Sequence, residues 1–303
     1  MKKFDLHCHT AEGSMDAKVS VFDYANTLKS LGYGGMLITD HDAYDGYHVW
    51  AEIRGKKVHR HNRHILLAMK QKRLAKKRLQ ENQGKDVHIH LPSDFVVLKG
   101  VEYDTIDAGH ILVIMPSRVH LKILELRGLP VDFLIHLVHH HGGILGPAHP
   151  FGERYLSFFS TVQRNKCLRV FDKFDFVEVF NACEKMEVNK KAFSIAKKYN
   201  KPFFAGSDAH WEKCVGLAYT YLPDNIKTED DLIAYVKKNP KIKVGGRRFH
   251  GTAKDHLGKW NRLLVEGFFF YNKGAGLFRA FHRKNEWRKH KNTVKRDTER
   301  NAN

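Results

Sequence analysis

The sequence predicts an α/β protein: a near-neutral body of strands alternating with helices, carrying two cationic appendages. Three observations predict it. Short apolar runs are separated by amphipathic stretches at helical spacing, the pattern of βα units in a parallel sheet or barrel. The hydrophobic fraction is 42% of 303 residues, enough to bury a core, yet no apolar run approaches the ~20 residues of a membrane span. Lys and Arg total 52 against 33 acidic residues, and the excess of +19 falls wholly within residues 52–86 and 245–303.

Strands are expected over residues 4–7, 35–39, 95–102, 110–114, 143–148, 176–180 and 202–207. After the first, Ser20 and Asp23 form a capping box, Ala25, Leu28 and Leu31 share a helix face, and Gly32 is a natural stop. Residues 190–199 place Phe193, Ala196 and Tyr199 at helical spacing, with Pro202 beyond their end. Thr228 and Asp231 repeat the capping box before Leu232, Ile233 and Val236. Residues 52–85 interrupt this order: Ile65, Leu66, Met69, Leu74 and Leu79 among many Lys and Arg suggest a long basic helix. From Gly245 onward, Trp260, Leu263, Leu264, Phe268, Phe269 and Phe270 are interleaved with charge. The division expected is a body over 1–244, with 52–90 as a basic insertion, and an extension over 245–303.

Cys8, Cys167, Cys183 and Cys214 are scattered without C-x-x-C spacing, so a reducing, cytoplasmic compartment is expected. Lys2 and Lys3 lead into Asp5 and His7 rather than an apolar core, so no signal peptide is expected.

With 21 histidines, position discriminates more than presence. His7 and His9 follow the first strand on one side, Thr39-Asp40-His41 closes the second, and Glu102 closes the third. His149 ends the fifth within Ala148-His149-Pro150, and Asp208 and His210 follow the seventh. Ligand-type residues thus gather at carboxyl ends of strands, the rim where active sites of parallel barrels assemble. His110 opens its strand and needs its loop to reach that rim.

Asp5-Leu6-His7-Cys8-His9-Thr10, Thr39-Asp40-His41, Gly100-Val101-Glu102, Ala148-His149-Pro150 and Gly206-Ser207-Asp208-Ala209-His210 together resemble the polymerase and histidinol phosphatase (PHP) family, over residues 4–224 and in the family's order. The resemblance implies a distorted seven-stranded (β/α)7 barrel with a trinuclear metal site. It implies that His7, His9, Glu102 and Asp208 hold one ion, that Glu102 bridges to a second completed by His110 and His149, and that Asp16, His41 and His210 hold the third. Imidazoles and carboxylates without thiolate suit two to three borderline divalent ions, Zn, Mn or Fe, better than Ca or Mg.

Such a site points to hydrolysis of a phosphorylated small molecule through a metal-bound hydroxide, with no Ser or Cys nucleophile. Asp40 and Asp42 are candidates to protonate the leaving oxygen, and Arg154, five residues after His149, and Lys185 are candidates to bind phosphate. His139-His140-His141 reads as a helix end, since consecutive helical residues point apart. His59, His61, His64, His88 and His90 read as solvated positions in basic surroundings. The segments 52–86 and 245–303 suit a nucleic acid, an anionic membrane surface, or a funnel for anionic substrates. Two other functions fit the residues: a nuclease using the same metals, with the basic segments as a track, and a non-catalytic nucleic-acid or membrane adaptor.

Overall fold

The structure, a computed structural model, describes residues 1–53, 94–154, 156–161 and 164–251, together with Gly267. The expected basic helix beyond residue 53 and the aromatic run of the tail lie outside the described residues.

β1 (Lys2–Cys8) and β2 (Tyr33–Ile38) pair in parallel, with Phe4 opposite Gly35 and Asp5 opposite Met36. Between them runs α1 (Val21–Ser30), which starts where the Ser20 side chain accepts a hydrogen bond from the Asp23 amide at 3.2 Å. Its buried Tyr24, Ala25 and Leu28 pack with Met36 and Ile38 of β2. After α2 (Asp45–Ile53), β3 (Val96–Lys99) joins β2 in parallel. Two strands that the apolar pattern did not reveal, β9 (Ala218–Leu222) and β10 (Val244–Gly246), complete this sheet in the order β10-β9-β1-β2-β3.

β4 (Val101–Thr105), β5 (Gly109–Ile114) and β6 (Ile144–Pro147) form a second sheet, antiparallel throughout. β7 (Val177–Asn181) and β8 (Phe203–Gly206) form a third, parallel pair. The helices are α3 (Val131–His140), α4 (Phe158–Thr161), α5 (Arg164–Phe171), α6 (Met186–Lys198) and α7 (Glu229–Val236). α7 opens on the expected capping box of Thr228 and Asp231.

Among the described residues the strands form no single closed barrel; the fold is mixed α/β in three sheets. The strand expected over 95–102 breaks at Gly100, whose amide donates to the Ile38 carbonyl at 2.9 Å, so that β3 stays with β2 while β4 starts another sheet. The sheets nonetheless face one interior. Phe4, Leu6, Leu37, Leu98, Leu112, Ile144, Phe176 and Phe204 pack in one buried cluster with Leu232, Ile233 and Val236 of α7. Each such side chain contributes ~1.5–3 kcal/mol by leaving water. Isolated bridges between His41 and Glu102, and between Cys8 and Ala209, join sheet edges beside the ligand-bearing loops.

The reversal of β5 explains His110. Because β5 runs antiparallel to β4, His110 sits opposite Asp104, near the carboxyl end of β4. At the end of α3, the His139 ring meets Asp175 at 2.9 Å while the His140 ring faces His136 and stands perpendicular to that of His141. Among the described residues those three imidazoles are not gathered into a ligand set. No described helix is long and apolar enough to cross a membrane.

Candidate metal centre

The nine ligand-type residues come from loops and strand ends far apart in the chain, and the fold brings their polar atoms together. Glu102 is the hub. Its Oε1 lies 3.0 Å from His110 Nδ1 and 3.0 Å from His149 Nε2. Its Oε2 lies 3.3, 3.2 and 3.1 Å from His7 Nε2, His9 Nε2 and His41 Nδ1. Asp208 Oδ1 is 3.2 Å from His9 Nε2 and 3.6 Å from His7 Nε2. Asp16 Oδ2 is 3.2 Å from His210 Nε2 and 3.6 Å from His41 Nε2.

Three sets of ligand atoms each fall within 4.8 Å of one another: His7, His9 and Asp208; His41, Glu102 and His110; and His9, His41 and His210. Two of these sets cut across the division that the resemblance implies, because His9 and His41 each serve in two.

The electrostatics fit a cation. Burial resists charge on His7, but Glu178, Asp208 and Glu102 together raise its pKa well above the ordinary imidazole value. Burial likewise works against charge on Glu102 and Asp208, yet the surrounding imidazoles hold both carboxyls well below their usual range. His9 goes the other way, lowered by burial and by the neighbouring His210 and His41. Buried Glu102 Oε2 accepts no well-formed hydrogen bond among the described residues. An orphaned carboxylate oxygen beside three imidazole nitrogens is what a site for divalent ions offers, and the N/O donor set fits one.

Residues that the sequence pattern did not reveal hold these ligands in place. Glu178 Oε1 meets His7 Nδ1 at 2.8 Å, and its Oε2 accepts the His149 amide at 2.6 Å. Ser14 Oγ donates to Asp40 Oδ1 at 3.0 Å and lies 3.1 Å from His9 Nδ1. Ser157 Oγ lies 3.0 Å from His149 Nδ1. With Nδ1 protonated in each case, the lone pair of Nε2 turns into the site. Asp5 accepts from the amides of His7 and Ser207 and from the Tyr24 hydroxyl, joining β1 to the loop that carries Asp208. Burial pushes the Asp5 carboxyl up to about 6. Gly206 is required where β8 crosses β1, since a Cβ there would run into the His7 backbone and Cβ. His149 and Asp208 hold φ at 29° and 52°, a left-handed backbone that costs ~1–3 kcal/mol each and that the surrounding hydrogen bonds must enforce.

Asp40 is buried, and its two oxygens accept from the Thr10 amide, the Thr10 hydroxyl and Ser14. Burial raises its carboxyl to about 7. Asp42 accepts from the Asp104 amide and from Arg127 Nε, at 3.0 and 3.1 Å. Arg154 and Lys185 are both exposed, Lys185 at the start of α6.

A family model described as PHP-associated matches residues 187–240, a span that includes α7, β8, β9, Asp208 and His210. The uncharacterised protein MJ0417 of Methanocaldococcus jannaschii is 36% identical over 100 residues, covering 31% of this chain and 41% of that relative. Among solved structures, PsfC from Pseudomonas syringae PB-5123 is similar in fold, with a TM-score of 0.51 at 17% identity over 90% of this chain and 98% of that one. A two-domain protein from Bacteroides vulgatus, described as containing a PHP-like metal-dependent phosphoesterase, has a TM-score of 0.49 at 15% identity over 81% of this chain and 65% of that one. The PHP-associated match, confined to residues 187–240, covers the stretch that supplies Asp208 and His210 to the cluster.

Proposed function

We propose that the chain is a metal-dependent phosphoesterase that hydrolyses a phosphorylated small molecule. One observation carries the reading: five imidazoles, those of His7, His9, His41, His110 and His149, surround the two oxygens of one buried carboxylate, that of Glu102. His7, His9, Glu102, Asp208, His110, His149, Asp16, His41 and His210 would hold two to three Zn, Mn or Fe ions. Divalent ions there would lower the pKa of a bound water and neutralise phosphoryl oxygens. The protein's own part is to fix the ligands, through Glu178, Ser14 and Ser157, and to supply a proton to the leaving oxygen. Asp40 has the pKa for that role near neutrality, and Asp42 is the second candidate. Arg154 and Lys185 are assigned to the phosphate. In this reading the three sheets are a distorted form of the (β/α)7 barrel.

Reconstituted protein should hold at least two metal equivalents by elemental analysis and release phosphate from a panel of phosphomonoesters. Fewer than two equivalents, or a metal-loaded protein inert across the panel, would refute the proposal.

The net charge of +19 favours a second reading, hydrolysis of a nucleic-acid strand by the same centre. Cleavage of short oligonucleotides that falls steeply with salt supports it; activity on mononucleotides alone counts against it.

A further inference from the structure

His41 stands in two of the three sets of ligand atoms, yet it lies three residues beyond the end of β2 and its side chain is 21% exposed. The backbone link that brings it to Glu102 runs through the residues on either side of it. The Asp42 amide donates to the Glu102 carbonyl at 3.1 Å, and the Glu102 amide donates to the Asp40 carbonyl at 3.2 Å. His41 Nδ1 then stands 3.1 Å from Glu102 Oε2. Asp42 keeps this register in a left-handed backbone, φ 47°, which a non-glycine residue holds only when its surroundings enforce it.

The enforcement comes from Arg127. Its Nε donates to Asp42 Oδ2 at 3.1 Å and its Nη2 lies 3.3 Å from Asp104 Oδ2, so one guanidinium forks between two buried carboxylates. Asp42 Oδ1 also accepts from the Asp104 amide at 3.0 Å, which closes a ring of contacts from Arg127 through Asp42 to β4. Arg127 is itself fixed by both of its neighbours. The Leu126 carbonyl accepts from the Tyr103 hydroxyl at 2.6 Å, and the Gly128 amide donates to the Asp104 carbonyl at 2.7 Å. Two carboxylates buried together repel, and a planar cation that reaches both at once holds them in one place.

We infer that Arg127 is a positioning residue of the metal centre: by clamping Asp42 to Asp104 it sets His41 against Glu102. The inference rests on the reading of the nine residues as a metal centre and deepens it, since occupancy of the His41 sites then depends on a cation outside the ligand set. The set of His7, His9 and Asp208 does not include His41, so an ion held there is indifferent to the clamp. That difference between sites separates positioning from a general loss of stability.

The test is stepwise zinc affinity, by competition against a chelator, together with hydrogen exchange of the metal-free protein, for the wild type, Arg127→Met and Arg127→Lys. In Arg127→Met the ions of the two sets that contain His41 should bind about tenfold more weakly, the low end for loss of an orienting partner, while the remaining ion keeps its affinity. Arg127→Lys keeps the charge but cannot fork between two carboxylates; it should lose about threefold at the same ions, and it decides the matter if Arg127→Met does not fold. In the metal-free variants the Asp104 amide, which donates to Asp42 Oδ1, should exchange about tenfold faster than in the wild type, with the β1–β2 amides unchanged. Unaltered zinc affinity in every variant that folds, or an equal loss at every ion with faster exchange throughout, overturns the inference. Fewer than two zinc equivalents in the wild type, with the exchange effect intact, refutes the metal-centre reading while the clamp on His41 stands. Full loading without phosphate release from any phosphomonoester refutes the phosphoesterase reading alone.

Discussion

Replacing Glu178 by Gln should weaken metal binding although Glu178 is not among the nine proposed ligands. Its Oε2 accepts from two donors, the His149 amide and Asn181 Nδ2, while its Oε1 faces His7 Nδ1. A glutamine has one carbonyl oxygen, and the pair of donors claims it. The amide NH2 then faces His7 Nδ1, which must become an acceptor. The proton moves to His7 Nε2, the atom that points at Glu102 and Asp208, and removes the lone pair a cation needs. Loss of a partner that orients a ligand typically costs 10–100-fold in metal affinity, about 1.4–2.7 kcal/mol. Glu178 is also the largest influence raising the His7 pKa against burial, so in the metal-free variant the imidazole should titrate lower than in the wild type. Competition against a chelator measures the affinity, and NMR titration measures the imidazole. Wild-type affinity and an unmoved His7 titration in a folded Glu178→Gln protein would show that the carboxylate does not orient His7.

Gly206→Ala should displace β1 at His7 and lower metal content while leaving far-UV circular dichroism near that of the wild type; full occupancy would contradict the close approach of β8. Thr228→Ala removes the side-chain half of the capping box at α7, leaving the Asp231 carboxylate on the backbone amide of residue 228, and should cost about 1 kcal/mol in urea unfolding; an unchanged midpoint would remove the cap as a contributor. Phe176→Ala removes a ring stacked on Phe204 at 3.9 Å in the shared interior and should cost about 3–5 kcal/mol. Burial, His120 and Lys99 lower His48 to about 4, below its ordinary 6.5, so the unfolded chain binds the extra proton between these values. Its contribution is present above pH 6.5 and lost as pH falls through about 4; His48→Gln should lose less stability over that window, and equal acid sensitivity of the two proteins would remove His48 as a contributor.

The parts legible in the sequence were those whose signal is local. Ser20 with Asp23, and Thr228 with Asp231, announce helix starts within four residues, and both helices start there, α7 on a full capping box and α1 on the Ser20 side chain capping the Asp23 amide. The ordered His, Asp and Glu motifs were visible because each closes or opens an apolar run. What stayed hidden depends on partners remote in sequence. Glu178 reads as a charge inside an apolar strand until His7, 171 positions away, is placed against it. β10 spans only Val-Gly-Gly, too short and too rich in glycine to show alternation, and it exists because β9 offers an edge. The break at Gly100 leaves no composition signal, since Val97, Leu98 and Val101 are apolar on both sides. Only strand pairing shows that the run serves two sheets and that β5 runs backward.

That reversal has a kinetic consequence. Glu102 and His110 lie on adjacent arms of one hairpin, eight positions apart, so their meeting requires closure of only a short loop. By contrast, Ser207 reaches Asp5 across 202 positions, and Asp208 reaches His7 across a similar span. The hairpin is therefore the early, fast-forming element, and the opposite wall of the cavity waits until the amino-terminal strand docks on the chain's later half. In a refolding experiment, uptake of ions should lag behind hairpin protection in hydrogen exchange and coincide with protection of β1. Cation capture would then mark the closing event of folding rather than its nucleus.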